Sequence, residues 1–114
     1  MYDTMRVELE ATGPGICRVT VAGELDVATA GDVRNVLNAA MGSYRQIVVD
    51  LGALRFCDCS GLSALLAAAR TARARGVELR LRAVPHYLAR ILRLSGTRGA
   101  FTIESGPVQA ADQP

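Results

Sequence analysis

The stretch Leu51-Gly52-Ala53-Leu54-Arg55-Phe56-Cys57-Asp58-Cys59-Ser60-Gly61-Leu62-Ser63-Ala64-Leu65-Leu66 decides how this chain folds. An apolar, strand-like run breaks at Asp58-Cys59-Ser60-Gly61 and becomes at once an apolar helix, so a serine stands at a helix entrance. The first turn of a helix carries unpaired backbone N–H groups and a partial positive charge, which favour an anionic group there. A phosphate on Ser60 suits that position. So does a plain N-cap, in which the serine oxygen accepts a backbone N–H. The residues alone leave both readings open.

Downstream, the helix from Ser60 to Arg75 sets Leu62, Leu65, Leu66, Ala69 and Ala72 on one face, with Arg70, Arg73 and Arg75 on a solvated face, and Gly76 ends it. Val77 to Arg82 alternates with Val77, Leu79 and Leu81 inward. Pro85 opens a third helix, 85–95, whose Leu88, Ile91 and Leu92 face the core before Gly96, and Phe101-Thr102-Ile103 is a last short strand. Upstream, Gln46 to Leu51 is a valine- and isoleucine-rich run of the kind found in a central strand covered on both faces. Thr29 to Met41 places Val33, Val36, Leu37, Ala40 and Met41 at helical spacing, with Thr29 and Asp32 as start signal and Gly42 as stop. Met5 to Leu9 and Ile16 to Ala22, joined by Ala11-Thr12-Gly13-Pro14-Gly15, form a β-hairpin.

The expected order is β-β-α-β-α-β-α-β: a single α/β domain with a mixed sheet, an initial antiparallel hairpin and right-handed crossovers. It spans residues 1–104, and 105–114, rich in Gly, Pro, Ala and Gln, read as a flexible tail. A chain of 114 residues, half of them hydrophobic, suffices for one core. The formal net charge of +2 is spread without a basic block, and aromatics are few, which argues against nucleic acid as a partner. No uncharged apolar run reaches membrane-spanning length and the first residues lack a signal-peptide pattern, so a cytoplasmic protein without membrane contact is expected.

Several chemistries fail on their residue requirements. Cys17, Cys57 and Cys59 read as free thiols of a reducing compartment. Cys57-x-Cys59 lacks a second cysteine pair, and the single histidine, His86, is remote, so neither a metal nor another cofactor is expected. Gly13 and Gly15 join two strands and make no dinucleotide fingerprint. Ser60 lies in Cys-Ser-Gly rather than a nucleophile elbow, and His86 would be its sole base, which speaks against a hydrolase. A phosphoaspartate receiver is excluded because the chain contains no lysine.

In an open α/β sheet the loops leaving the carboxyl ends of parallel strands share one rim. Glu24-Leu25-Asp26 leaves the second strand and Asp58-Cys59-Ser60 the third, so neighbouring strands bring the carboxylates and the serine into one patch. Loop solvation or capping of the first helix is the competing role for Glu24 and Asp26. Three segments carry a resemblance: Val21-Ala22-Gly23-Glu24-Leu25-Asp26, then Val49-Asp50-Leu51 with Phe56-Cys57-Asp58-Cys59-Ser60-Gly61-Leu62, and lastly Ile91-Leu92-Arg93-Leu94-Ser95-Gly96. Over about residues 5 to 104 the chain resembles the STAS-domain anti-sigma factor antagonists.

That resemblance implies a non-enzymatic switch. It makes Ser60 the phosphate acceptor of an anti-sigma factor serine kinase, which brings its own ATP, and calls for a serine phosphatase to reset it. It gives Glu24, Asp26, Asp58, Cys59, Ser60 and Gly61 to the docking surface; the family's usual Asp-Ser-Ser-Gly is Asp58-Cys59-Ser60-Gly61 here. Two other roles fit the same fold: a structural STAS subunit of a sensory or lipid-transport complex, and a small-molecule or nucleotide-binding STAS module. No phosphate-cradling loop supports the latter.

Overall fold

The chain enters as an antiparallel hairpin of β1 (Met5–Gly13) and β2 (Ile16–Leu25). The computed structural model describes residues 5–104; the first four residues and the expected tail, 105–114, lie outside the described residues. Pro14-Gly15 makes the turn, and Gly15 adopts φ 72°, a conformation that glycine enters without steric penalty. β2 then alternates strictly. Cys17, Val19, Val21 and Leu25 are fully buried, while Arg18, Thr20, Ala22 and Glu24 between them are half-buried on the other face.

The first helix, α1 (Ala30–Met41), buries Val33, Leu37, Ala40 and Met41, as the spacing predicts, and Ala30 besides, while Val36, expected on the same face, is only partly buried. It is followed by β3 (Gln46–Asp50), which pairs in parallel with β2 from Ile16↔Gln46 to Thr20↔Asp50. Here the structure departs from the expected single strand. After Asp50 the chain turns, with Asp50 Oδ1 accepting Gly52 N–H at 2.9 Å and Leu51 O accepting Leu54 N–H at 3.1 Å. It then rejoins β2 as β4 (Leu54–Cys57), pairing Gly23↔Leu54, Glu24↔Phe56 and Leu25↔Cys57. β3 and β4 thus occupy the same side of β2 in succession. Gly52-Ala53 is the break, hidden in the sequence because apolar residues continue on both sides of it.

The second helix, α2 (Cys59–Ala74), leads to β5 (Glu78–Arg82), α3 (His86–Ser95), a short 3-10 turn at Arg98–Ala100, and β6 (Thr102–Ile103). The sheet runs β1-β2-β3-β5-β6, parallel except for β1, with β4 paired to β2. The buried residues of all three helices join the odd-numbered residues of β2 in one core. α2 contributes a narrow stripe, Gly61, Ala64, Leu65, Ala68 and Ala72, while Leu62 and Leu66 are only partly buried. Small side chains let this helix lie close against its neighbours.

Two further expectations are corrected. Ile91 was placed in the core, yet it is 37% exposed; Leu88 and Leu92 alone satisfy the inward face of α3. β3 is central, between β2 and β5, but helices cover only one of its faces. On the other face Val48 lies between Arg18 of β2 and Arg80 of β5 in register. Long arginine stems shield an apolar side chain while their charged ends stay wet. Glu10 holds Arg18 at 2.8 Å and Glu78 holds Arg80 at 2.6 Å.

One side chain ties the last helix to the inserted strand: the half-buried Tyr87 hydroxyl of α3 donates to the Leu54 carbonyl of β4 at 3.0 Å. Tyr87→Phe removes that bond and leaves the ring in place. The expected loss is about 0.5–1.5 kcal/mol in urea unfolding, with an unchanged fold by circular dichroism.

Candidate functional site

The site forms where β2 and β4 end side by side. Asp58 N–H donates to Leu25 O at 3.1 Å, which stitches the Asp58 turn to the end of β2. Asp58 has extended backbone, φ −98° and ψ −170°, and its Oδ1 accepts Gly61 N–H at 3.0 Å. It is therefore the N-cap of α2. Ser60 is not the cap, contrary to the simplest reading of a serine at a helix start. It is the second residue inside the helix, half-buried, and its hydroxyl has no hydrogen-bond partner among the described residues. Cys59, on the first helical position, is exposed.

Gly61 explains how the helix can start so close to the sheet. A Cβ at this position would stand 2.6 Å from Leu25 Cγ, 2.6 Å from Leu25 O and 3.0 Å from Cys57 Sγ. No side chain fits there, and Gly61 is itself buried beneath the rim. Its contribution is to hold Ser60 at a fixed height over the strand ends.

The Glu24-Leu25-Asp26 turn is built with equal care, around a residue whose role the sequence pattern did not disclose. Thr29 precedes α1, but its side chain does not cap that helix. Its Oγ1 accepts Asp26 N–H at 2.9 Å and donates to Glu24 O at 2.9 Å, with Asp26 Oδ1 at 3.2 Å. Asp26 Oδ1 also accepts Ala28 N–H at 3.0 Å. Thr29 is 9% exposed, so this knot is largely shielded from water. It closes the loop back on β2 and holds Asp26 beside the end of β4. A Thr-x-x-Asp pattern reads equally well as a capping box, which is why the local sequence misleads.

Glu24, Asp26 and Asp58 thus come together with Cys59 and Ser60 on one rim, and no salt bridge among the described residues occupies these carboxylates. The charge of the chain is not evenly spread: from Cys59 to Ile103 the only acidic residue is Glu78. Asp58 opens α2 and Asp26 follows the end of β2, while the helices from α2 onward carry arginines. Among the described residues no three His, Cys, Asp or Glu side chains converge as a metal site, and no helix is long and apolar enough to cross a membrane. His86 begins α3, after Pro85, and is exposed.

Below the rim, Cys57 is buried and its thiol donates to Asp58 O at 3.6 Å. Its ionisation is pushed up from the ordinary 9.0 to about 11, first by burial, then by the Asp58 carboxylate and by Cys59. Burial also raises Cys17, and burial followed by the Cys57 charge raises Tyr87. Cys57 is therefore a packed, protonated thiol near neutrality, and the accessible sulfur is that of Cys59.

Comparison with curated proteins finds no sequence match. Among solved structures, the chain is similar to an anti-sigma factor antagonist from Mycobacterium paratuberculosis, at 24% identity, over 94% of this chain and 91% of that chain, with a TM-score of 0.77. It is similar to the anti-sigma factor antagonist SpoIIAA in its unphosphorylated form, at 18% identity, over 93% of this chain and 94% of that one, TM-score 0.71. It is likewise similar to the Bacillus cell fate determinant SpoIIAA in the phosphorylated form, at 21% identity, over 94% and 97%, TM-score 0.71. At these identities the likeness concerns the fold.

Three measurements test the construction of the rim. Gly61→Ala forces the helix off its seat and should cost about 1–3 kcal/mol, whereas Asp58→Ala loses a cap and should cost about 0.5–2 kcal/mol, both read by chemical unfolding. In a pH series, the unfolded chain ionises Cys57 first. The stabilisation it contributes is whole below pH 9 and lost as pH rises toward about 11. Cys57→Ala should flatten that alkaline decline, and iodoacetamide near pH 8 should label Cys59 well before Cys57. A family model described as the Mlab STAS domain matches residues 10–104, most of the sequence; with the fold to support it, this chain belongs to the STAS-domain family.

Proposed function

We propose that this protein is an anti-sigma factor antagonist: a cytoplasmic, non-enzymatic switch that binds an anti-sigma factor serine kinase and releases its sigma factor until Ser60 is phosphorylated. The observation that carries this reading is the Ser60 hydroxyl. It stands half-buried on the first turn of α2, relieved of capping by Asp58, without a hydrogen-bond partner among the described residues. A serine placed there for capping would be engaged.

The surrounding charges account for the direction of the switch. In the unmodified form, Glu24, Asp26, Asp58, Cys59 and Ser60 form the docking surface, supported from beneath by Gly61. Phosphorylation adds about −1.5 to −2 charges. That charge lands beside Asp58, on a rim whose carboxylates form no salt bridge among the described residues. A kinase surface matched to the unmodified rim then meets excess negative charge and dissociates, and a serine phosphatase restores binding. The likeness in fold to SpoIIAA, an anti-sigma factor antagonist with unphosphorylated and phosphorylated forms, supports this reading.

The family match is to a STAS domain and names no phosphate acceptor, so a second reading stands beside the first: a structural STAS subunit of a sensory or lipid-transport complex, whose rim seats a partner without phosphate turnover. The same experiment separates the two. Wild-type protein is incubated with the anti-sigma factor kinase of its own genome and ATP, and phosphate is mapped by mass spectrometry. Modification at Ser60 is expected; an active kinase that modifies another residue, or none, overturns the switch. Ser60→Ala should lose phosphate acceptance and still bind the kinase. Ser60→Glu should bind at least severalfold more weakly, one carboxylate being a partial substitute for phosphate.

A further inference from the structure

Two exposed apolar side chains flank the rim, and the switch as described gives them no task. Val27 is 78% exposed and Phe56 is 48% exposed. Phe56 lies on β4 opposite Glu24, on the sheet face that no helix covers. Val27 follows Asp26 and stands two residues past the Leu25 carbonyl that receives Asp58 N–H. Single exposed apolar residues are ordinary on any surface. These two differ in position: each adjoins a carboxylate of the proposed docking surface, and the paired ends of β2 and β4 hold them in place.

We infer that Val27 and Phe56 are the apolar anchors of the docking surface, received by an apolar depression on the anti-sigma factor kinase that is bordered by arginine or lysine. The inference rests on the anti-sigma antagonist reading and adds to it a division of labour. Carboxylates at an interface steer the encounter and suppress wrong partners, whereas most of the affinity comes from a few desolvated apolar or aromatic contacts. Glu24, Asp26 and Asp58 supply the first; Phe56 and Val27 supply the second. The basic border follows from charge complementarity, because the rim offers three carboxylates that form no salt bridge among the described residues. Phosphate at Ser60 then acts on the electrostatic part of the contact and leaves the anchors unaltered.

The test is calorimetric titration of the full chain against each ATP-binding anti-sigma factor kinase encoded in its genome, purified with ADP. Phe56→Ala and Val27→Ala should each weaken binding at least tenfold, with melting temperature and salt dependence unchanged. Phe56→Leu should retain most of the affinity. Glu24→Gln should instead reduce the slope of affinity against salt. If wild-type protein binds a kinase and both alanine variants bind it as tightly, the inference is overturned and the switch stands. If wild-type protein binds none of the kinases, the switch reading falls and the inference with it.

Discussion

The close approach of α2 to the end of β2 is the constraint from which the rest of the site follows. Without a side chain at Gly61, the first turn of the helix rests against Leu25 and Cys57, closer than any other residue permits. The helix N-terminus is then delivered to the edge of the sheet with its cap already in place, since Asp58 is bonded at its amide to Leu25 O and at its carboxylate to Gly61 N–H. The second helical residue is left with a hydroxyl that has no structural duty. That residue is Ser60.

The fold was legible wherever one periodicity ruled a whole segment. The alternation of β2 and the strands β3 and β5 are those read from the sequence, and so, apart from Val36, are the apolar positions of α1; the backbone also sets Asp26 and Asp58 side by side where β2 and β4 end. What the sequence concealed is local chemistry. A turn at Gly52-Ala53 inside a continuous apolar run split one expected strand into two, so the Asp58 loop leaves β4 rather than the third strand. Thr29 looked like a cap and is instead the centre of a loop knot. The cap of α2 shifted from Ser60 to Asp58, a difference that depends on two residues of register. Ile91 had the spacing of a core residue on a helix too short and too peripheral to bury three large side chains. In each case the residue types were informative and the choice among their hydrogen-bond partners was made by tertiary contacts.

The arrangement of charge bears on how such a site communicates. Acids gather at the start of α2, and arginines on the helices that follow. On the open face of the sheet the opposite signs are paired across strands, as in Arg18 with Glu10. At the rim no salt bridge occurs among the described residues. In the proposed switch, such a rim over a packed seat responds to added phosphate through its field, without any need to change backbone shape.

β2 pairs with three strands: β1 along one side, β3 and then β4 along the other. The rim is stitched into this shared strand by Gly23 N–H on Ala53 O and Asp58 N–H on Leu25 O. The amides of Gly23 and Asp58, bonded between β2 and the chain on either side of β4, therefore form one cooperative unit with the sheet. The proposed docking rim, although it lies at the ends of strands, should share the exchange protection of β2.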